Sequence, residues 1–530
     1  MKAIRFLFFV VAAFLVIPSF GQSTVEANAQ KFTKALSIIK SFYVDTTNVE
    51  DLTEDAIRGM LKELDPHSVY MSKEELKKAN EPLEGNFEGI GIQFNIMKDT
   101  ILVISPITGG PSEKLGIMAG DKIVKIDGGD ATGTKVTNEW VVEHLRGKKG
   151  TEVTLSIYRQ GVPELLDYTV IRDKIPIFSV SASFMADKET GYIRLDRFSA
   201  TSMDEINEAM SKLKYKGAKN LILDLRGNSG GYLKTAIELA DVFIEEGKTI
   251  VYTEGEYSAI QRYNSTPKGN FEKGKVVVLV DEGSASASEI VAGAIQDWDR
   301  GLLIGRRTFG KGLVQKPYYL PDGSAMRLTT ARYHTPTGRC IQKPYDEGTE
   351  KYYKDLTSRF EKGELYHADS IHFPDSLKFY TPGKRLVYGG GGIMPDIFIP
   401  ADTSANSDYY RNIIRKGLLN KFAIEYIDKN RESLMEKYPD FEVFDKKFIV
   451  TAEFYETFLK FVDENKLDRK EEDLKRSGEM IKVQVKALIA RNLFDLSAYF
   501  FSIRAIDDTY QKALEAISDN TFRKMNIQSW

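Results

Sequence analysis

The spacing of apolar side chains changes along the chain, and each change indicates a different kind of structure. Over residues 22–84 apolar positions recur three and four residues apart, which predicts short amphipathic helices interrupted at Asp65-Pro66. From residue 85 to about residue 175 the pattern becomes short β segments separated by glycine turns. The first part is therefore predicted to be a helical region and the second a compact β-rich module.

Beyond residue 175 the chain alternates between strands and helices, and it then becomes wholly helical. Residues 176–402 show the alternation typical of α/β layers, and the all-apolar run at 276–280 is their clearest buried strand. A charged, tyrosine-rich stretch at 341–380 interrupts this pattern and is interpreted as an insertion. Residues 403–530 are rich in lysine and glutamate with helical apolar spacing, which predicts a separate helical domain.

Composition excludes several classes of protein. The 530 residues are 42% hydrophobic and 28% charged, as in ordinary globular domains, so a wholly disordered chain and a polytopic membrane protein are both excluded. The formal net charge is -3 and no basic run is present, so nothing favours a nucleic-acid partner. Cys340 is the single cysteine and can form neither an internal disulfide nor a cysteine metal cluster. Packing must therefore stabilise the domains.

The N-terminus has the layout of a secretory signal. Lys2 and Arg5 precede the uninterrupted apolar residues 6–17, and the small-x-small step Ser19-Phe20-Gly21 follows. A retained membrane anchor is the alternative, but this run would span only about 18 Å of a hydrocarbon core of about 30 Å. We therefore expect a signal peptide over residues 1–21 and a periplasmic or secreted mature protein.

The segment 283–289, Gly-Ser-Ala-Ser-Ala-Ser-Glu, follows the predicted strand at 276–280 and opens a predicted helix. A tight turn between a buried strand and a helix N-terminus exposes a hydroxyl beside free backbone N–H groups, which suits a nucleophile. However, Ser286 and Glu289 also match a capping box, so Ser286 could be only a helix N-cap. On this segment alone the cap is the favoured interpretation.

Two further segments change that balance. They are residues 308–315 (Thr-Phe-Gly-Lys-Gly-Leu-Val-Gln) and residues 221–231 (Leu-Ile-Leu-Asp-Leu-Arg-Gly-Asn-Ser-Gly-Gly). Together with 283–289, these segments resemble the carboxy-terminal processing peptidases, or tail-specific proteases. These are serine peptidases with a Ser/Lys dyad. The β-rich module, with its Gly-Ile-Gly-Ile at 89–92, resembles the PDZ domain of the same family. The resemblance covers most of the chain.

The resemblance implies a multidomain α/β protein. Its peptidase core would have the crotonase-like (ClpP/crotonase-type) layered fold, with an inserted PDZ β-domain and flanking helical regions. The implied organisation is a signal peptide over 1–21, an N-terminal helical region over 22–84, a PDZ domain over 85–175, a Ser/Lys peptidase core over 176–402 with the insertion 341–380, and a C-terminal helical domain over 403–530.

By the same resemblance Ser286 is the nucleophile, Lys311 the general base and Gln315 the residue that orients the lysine. A serine hydroxyl is a weak nucleophile until a positioned base removes its proton. Lysine can do so only when neutral, which means moving its pKa from about 10.4 towards 7 or 8 by desolvation, at a cost on the order of 3 to 5 kcal/mol. Gln315 poses a distance problem, because four residues of extended strand span about 13 Å unless the backbone bends or the side chains converge.

The acyl intermediate needs two N–H donors for its oxyanion. Ala287 N–H is one candidate, and the resemblance implies that the second comes from Gly230 or Gly231, which the sequence does not distinguish. Asp224 and Arg226 are expected to form a structural ion pair or to brace the loop. Asp297 would lie about 16 Å along the helix from the nucleophile, so a structural role is expected for it as well.

The PDZ resemblance predicts how substrates are chosen. Such domains hold a peptide's terminal carboxylate on loop amides while the peptide adds as a strand. Gly89 and Gly91 would let the backbone approach, and Ile90 and Ile92 would line an apolar pocket, which favours apolar tails. Arg146 resembles the arginine through which some relatives couple tail binding to active-site opening, although an Arg-Gly turn on a solvated surface is an alternative.

The leading hypothesis is a secreted serine endopeptidase that recognises apolar C-terminal tails and uses neither metal nor other cofactor. Protein or peptide substrates are its expected partners, and the helical regions are candidates for a homodimer or adaptor surface. One alternative is a non-catalytic periplasmic PDZ scaffold that binds tails on a peptidase-like fold. Another is an acyl-CoA enzyme, suggested by the crotonase-like layering.

Overall fold

The computed structural model describes residues 23–267 and 269–527. The predicted signal peptide over 1–21 lies outside the described residues, so the expectation stands on sequence alone. The chain divides into two compact units, one that ends at Tyr70 and one that starts at Met71. Among the described residues, no helix combines the length and the apolar character that crossing a bilayer requires.

The first unit is mainly helical. Asn48 starts its second helix, because the Asn48 side-chain oxygen accepts the Glu50 N–H at 3.0 Å. That helix ends before Asp65-Pro66, the break predicted from sequence, since proline disfavours helical conformation in the residue before it. The elements are α1 (Ser23–Phe42), α2 (Val49–Lys62) and the boundary strand β1 (Val69–Met71).

The second unit begins with a helix and the β-rich module. The elements are α3 (Lys73–Glu84), β2 (Asn86–Gly89), β3 (Ile92–Met97), β4 (Thr100–Pro106), α4 (Pro111–Lys114), β5 (Lys122–Ile126), β6 (Gly129–Asp130), α5 (Asn138–Leu145), β7 (Glu152–Tyr158), β8 (Leu166–Ile171) and β9 (Asp173–Pro176). The main sheet has the order β3-β4-β5-β7-β8, and β2 pairs separately with β9. Its inward-facing residues, such as Ile101, Ile123 and Leu155, form one fully buried core.

The α/β part follows directly. Its elements are β10 (Val180–Met185), β11 (Thr190–Leu195), α6 (Ser202–Tyr215), β12 (Asn220–Asp224), α7 (Leu233–Asp241), β13 (Thr249–Gly255), β14 (Ser258–Asn264), β15 (Val276–Val280), α8 (Ala287–Asp297), β16 (Leu302–Gly305), β17 (Leu313–Tyr319), β18 (Ala325–His334), α9 (Thr349–Glu361), β19 (Lys378–Tyr380), β20 (Leu386–Tyr388) and β21 (Ile397–Phe398). Helix α9 and strand β19 lie within the predicted insertion 341–380, and β20 follows it.

The remaining chain is helical, as its apolar spacing predicts. The helices are α10 (Asp408–Arg415), α11 (Leu418–Lys437), α12 (Phe441–Lys447), α13 (Ala452–Glu464), α14 (Glu471–Leu493), α15 (Leu496–Ile503), α16 (Asp508–Ser518) and α17 (Thr521–Lys524). Helices α10 to α15 pack around a shared core that includes Phe422, Phe444 and Phe458.

The central sheet of the α/β part has the order β10-β11-β12-β15-β16-β21 and is parallel except at β10. All five residues of β15 are buried, as expected for a strand covered on both faces. Helices α6, α7 and α8 cover one face, and α16 and α17 contribute Tyr510, Ile517 and Phe522 to the other. The last helices therefore complete the sheet's second layer.

A buried charge cluster stands at the end of β12, next to the 227–231 turn. The Asp224 carboxylate accepts hydrogen bonds from Arg226 at 2.6 Å, Arg194 at 3.0 Å and the Tyr192 hydroxyl at 2.6 Å. Arg226 also pairs with Asp507 at 2.7 Å, at the start of α16. The expected structural ion pair of Asp224 and Arg226 is confirmed, and it links the strand end to the last helical layer.

This cluster makes stability depend on pH. Burial alone would raise the pKa of Asp224, but Arg226 and Arg194 outweigh it and lower that pKa from 3.8 to about 2. The ionised form is therefore favoured in the folded state, and the group's stabilisation of about 2 kcal/mol is present above pH 3.8 and is lost as the pH falls through 2.

We expect Asp224→Asn to lower the free energy of unfolding at neutral pH by about 3 to 5 kcal/mol, because it leaves buried guanidinium groups without their counter-charge. Urea unfolding followed by tryptophan fluorescence measures the loss. Asp204→Asn, at an exposed site in the first turn of α6, is the control and should stay near the wild type. Equal stability of the Asp224 variant and this control would contradict the structural role.

Candidate active site

Ser286 lies at the turn between β15 and α8. Its backbone has φ 53° and ψ −110°, in the region that residues with a Cβ rarely occupy. Neighbouring hydrogen bonds hold the turn in place: Ala285 N–H donates to Asn228 O at 3.0 Å, and Ser284 Oγ donates to Leu225 O at 2.8 Å. A strained serine between a buried strand and a helix N-terminus has the local form of a nucleophile elbow.

Glu289 connects this turn to the lysine segment. It is fully buried in the first turn of α8, and one carboxylate oxygen, Oε2, accepts both the Ser286 N–H at 2.8 Å and the Lys311 N–H at 2.9 Å. The two amide nitrogens are therefore no farther apart than the sum of those distances. The other oxygen, Oε1, accepts the Gly310 N–H at 2.7 Å and the Thr308 hydroxyl at 2.5 Å.

The Glu289 contacts modify the interpretation of the capping box. Glu289 does accept the Ser286 N–H, as an N3 glutamate should, but the same carboxylate also binds the 308–311 segment. Burial raises the pKa of Glu289 above its ordinary value, and the four donors partly offset that rise. We call Glu289 with these four donors the carboxylate clasp.

Lys311 and Gln315 are brought together. Lys311 Nζ donates to Gln315 Oε1 at 3.0 Å. The separation of about 13 Å applies only to four residues of continuous extended strand. Here β17 begins only at Leu313, after Lys311, and its pairing with β18 shifts register between Val314 and Gln315. The two long side chains therefore converge beside an irregularity in the strand pairing.

The glycines on either side of Lys311 are needed for close packing. Gly310 has φ 89°, and a Cβ there would lie 2.9 Å from the backbone nitrogen of Gly392. A Cβ at Gly312 would lie 2.9 Å from the backbone nitrogen of Gln342, whose side-chain oxygen accepts the Gly312 N–H at 2.8 Å. The lysine segment is thus enclosed by backbone on both sides.

The glycine pair after β12 approaches the serine turn. A Cβ at Gly230 would lie 2.9 Å from the Cβ of Ser286 and 3.0 Å from Ala287 N, so no larger residue fits. The Gly230 N–H already donates to Asn228 Oδ1 at 2.9 Å. Within the part of the chain that the structure describes, the N–H groups of Gly231 and Ala287 meet no acceptor.

The predicted peptide-binding residues lie at the start of the β-rich module. Gly89 ends β2 and pairs with Asp173, Gly91 has φ 74°, and Ile92 begins β3 with a half-buried side chain. Ile90 is only 2% exposed and belongs to the module's core. The expectation that the Ile90 side chain lines an open pocket therefore needs correction, because that side chain is used in core packing.

The remaining residues singled out from sequence are engaged elsewhere. Arg146 forms an ion pair with Glu81 of α3 at 2.6 Å and lies over the Phe87 ring at 4.4 Å. Asp297 is fully buried, pairs with Arg339 at 2.7 Å and accepts the Thr337 hydroxyl at 2.7 Å. Asp297 thus has the structural role expected for it.

Glu289 is the site residue that sequence reasoning undervalued. The capping-box pattern marked it correctly as a partner of Ser286, but nothing in the pattern indicated that the carboxylate also binds the lysine segment nineteen and more residues away. Among residues 23–267 and 269–527, no three His, Cys, Asp or Glu side chains come together in a way that could hold a metal ion.

Four family descriptions match the sequence. Peptidase family S41 matches residues 189–351, and a PDZ domain matches 89–170. The N-terminal domain of the activating protease CtpB matches 18–75, and a family of unknown function matches 409–495. The matches follow the helical, β-rich, α/β and helical order of the fold.

Curated relatives are similar over much of their length. The carboxy-terminal processing protease CtpA of Bacillus subtilis is 41% identical over 322 residues, which cover 61% of this chain and 68% of the relative. A carboxy-terminal-processing protease of Bartonella bacilliformis is 38% identical over 352 residues, 64% of this chain and 80% of the relative. A solved photosystem II D1 C-terminal processing protease is 26% identical, and the match covers 70% of this chain and 92% of that one with a TM-score of 0.36.

We expect Glu289→Gln to lower the free energy of unfolding by about 2 to 4 kcal/mol, because the introduced amide group would face N–H and O–H donors in place of an acceptor. The rate at which a fluorophosphonate labels Ser286 should fall as well. Urea unfolding and labelling kinetics measure the two effects.

Glu282→Gln provides the matched control, since Glu282 pairs with Arg306 at 2.8 Å outside the clasp. It should leave the labelling rate near that of the wild type. Wild-type labelling by Glu289→Gln would show that the clasp does not organise the site.

Proposed function

This chain belongs to the S41 family of carboxy-terminal processing serine proteases and carries a PDZ domain, and from that premise we propose that Ser286 is its nucleophile and Lys311 its general base. The observation that carries the proposal is the carboxylate clasp. One Glu289 oxygen binds the backbone amides of both residues, so the strained serine and the lysine belong to one hydrogen-bonded unit.

The proposed reaction is acyl transfer. The neutral Lys311 amine takes the proton of Ser286 Oγ as that oxygen attacks the substrate carbonyl carbon, and the carbonyl electron pair moves to the oxygen. When the tetrahedral intermediate collapses, the C–N bond breaks and the Lys311 ammonium returns its proton to the leaving amine. Water then repeats the sequence on the acyl-enzyme, which releases the carboxylate product and restores Ser286.

Gln315 orients the base in this scheme. Its Oε1 accepts one Lys311 N–H at 3.0 Å, which limits rotation of the amine. An acceptor that carries no charge suits this position, because a carboxylate would favour the ammonium form and oppose the base's task.

For the oxyanion we propose Ala287 and Gly231 as the two N–H donors. Gly230 was an equal candidate on sequence, but its N–H is taken by Asn228 at 2.9 Å. Gly230 instead contributes its missing side chain, which lets the 230–231 backbone approach Ser286 and Ala287. The donors would be fixed before substrate arrives, so they need no reorganisation during the reaction.

We propose that the PDZ domain binds apolar C-terminal tails of substrates, with the carboxylate on the amides of the 89–92 turn and the peptide added along β3. Arg146 would link tail binding to the site, because its ion pair with Glu81 joins the end of α5 to α3. A bound tail that displaced this contact would free α3.

We further propose export of the protein, an assembly contact and a crotonase-type core. Export to the periplasm or medium is supported by residues 1–21, and a mature N-terminus at Gln22 would test it. A homodimer or adaptor contact is supported by the exposed apolar side chains of α1, Ile38, Ile39 and Phe42. Crotonase-type layering of the core is supported by the mostly parallel sheet with helices on both faces.

We expect Ser286→Ala to abolish cleavage of an unfolded protein that ends in an apolar tail, because the nucleophile is removed. Lys311→Arg should do the same, since a guanidinium stays charged and cannot accept the proton. Both variants should still bind a fluorescent peptide with an apolar C-terminal residue, and they should bind it more tightly than a peptide that ends in aspartate.

The two arms of this experiment separate the hypotheses. Residual cleavage in Ser286→Ala would remove that residue as nucleophile, and full activity in Lys311→Arg would remove Lys311 as base. A wild-type protein that binds the apolar tail but cleaves nothing would instead favour the tail-binding scaffold.

A further inference from the structure

The insertion 341–380 contacts the lysine segment directly. Helix α9 lies within this insertion, and its Arg359 is only 2% exposed. The guanidinium donates to Thr308 O at 2.8 Å and to Phe309 O at 3.1 Å. These carbonyls come immediately before Gly310-Lys311, so the insertion touches the chain one peptide away from the proposed base.

A second buried cation and one carboxylate hold Arg359 in place. Arg359 Nε lies 2.9 Å from the Asp355 carboxylate, which also pairs with Lys343 at 3.0 Å. Burial alone would raise the pKa of Asp355, but the two cations outweigh it and lower the pKa, so the carboxylate stays ionised. The result is a charged triad, Arg359–Asp355–Lys343, formed entirely by residues of the insertion.

Lys343 reaches the same segment by a separate route. Its backbone N–H donates to Gly310 O at 3.0 Å, and its ammonium lies over the Phe309 ring at 4.0 Å. The ring of Tyr352 of α9 also lies 4.2 Å from that ammonium and meets the Phe309 ring edge-on, with the two centroids 6.0 Å apart. The insertion therefore holds the segment by its backbone carbonyls and also by the one large apolar side chain beside the base.

The insertion and the carboxylate clasp bind opposite polar groups of one short segment. Glu289 accepts from the Thr308 hydroxyl and from the N–H groups of Gly310 and Lys311. Arg359 and Lys343 donate to the carbonyls of Thr308, Phe309 and Gly310. The acceptor of the clasp and the donors of the insertion therefore hold different groups of the segment, and only the insertion donors described here reach the carbonyls of Thr308, Phe309 and Gly310.

We propose that Arg359 is a positioning residue for Lys311, and that the docked insertion is required for the base to reach Ser286. This inference rests on the proposed function of Ser286 and Lys311. Asp355 and Arg359 both lie in the insertion, beyond residue 351, where the match to the peptidase family ends. Undocking of α9 would remove the support of the carbonyls while leaving Ser286 on its turn.

The experiment compares Arg359→Met, Arg359→Lys and Lys354→Met in the full chain. Misplacing a catalytic group by about 1 Å costs on the order of 100-fold, so we expect kcat of Arg359→Met to fall by about that factor while KM stays near the wild-type value. Arg359→Lys keeps the charge and at least one donor, so its kcat should lie between those of Arg359→Met and the wild type. Lys354→Met removes a cation that is 71% exposed on the same helix and should behave as the wild type.

Labelling with a fluorophosphonate separates positioning from misfolding. We expect Arg359→Met to label one serine per chain, as the wild type does, but more slowly, because the turn at Ser286 is intact and the base is displaced. The proposal would be overturned if the loss of activity in Arg359→Met were explained entirely by chains that do not label, so that kcat per labelled site equals the wild-type value.

Two additions keep the test decisive. If Arg359→Met fails to fold, Asp355→Asn replaces it in the test, because this change keeps Arg359 but removes the carboxylate that holds it. We expect Asp355→Asn to show a smaller loss of kcat with full labelling, and an unchanged kcat would count against the proposal.

Ser286→Ala and Lys311→Arg are assayed in the same experiment. If both are inactive while Arg359→Met is fully active, only the positioning role fails, whereas cleavage by either would refute the proposed function itself.

Discussion

The structure of the site depends on one buried carboxylate. Glu289 is fully buried, and such a charge is tolerated only when strong donors replace the water it has lost. Four donors do so here: two from the segment's backbone, one from a threonine hydroxyl and one from the serine turn. Because the carboxylate needs all of them, it fixes the relative positions of two segments that the fold brings from different strands.

The fold explains why these segments meet. Ser286 follows β15, at the centre of a sheet covered on both faces, while Lys311 precedes β17 of a neighbouring sheet. The clasp joins these two parts of the site, and the Phe309 N–H joins them as well by donating to Ser284 O at 3.0 Å. The insertion adds donors where the clasp supplies acceptors, so a short glycine-rich segment is held without any secondary structure of its own.

Much of the site was predictable because its chemistry is local in sequence. Ser286 and Lys311 stand in short motifs, and the buried strand before Ser286 is evident from five consecutive apolar residues. The orienting contact of Gln315 was predicted as well, although the bend that permits it comes from a register shift that composition does not reveal. The ion pair of Asp224 and Arg226 follows from their closeness in the chain.

The rest depends on contacts between distant residues. The dual role of Glu289 and the contact of Arg359 with Thr308 and Phe309 depend on folding and leave no periodic or motif signal. The burial of Ile90 could not be predicted for the same reason, because an apolar side chain is compatible with a binding pocket and with a core, and only the packing of the folded module distinguishes the two. The proposal of Gly231 in place of Gly230 likewise depends on a folded-state contact, the Gly230 N–H bond to Asn228 Oδ1.

The most direct test of the central claim is to titrate the Lys311 amine in protein labelled with 13C at the lysine Cε, using Lys311→Arg to assign its signal. We expect the amine in the wild type to titrate well below the ordinary lysine value of about 10.4, and to return towards that value in Glu289→Gln, where the segment is released. A Lys311 signal that titrates at the ordinary value in the wild type would contradict the claim that the clasp delivers an uncharged base to Ser286.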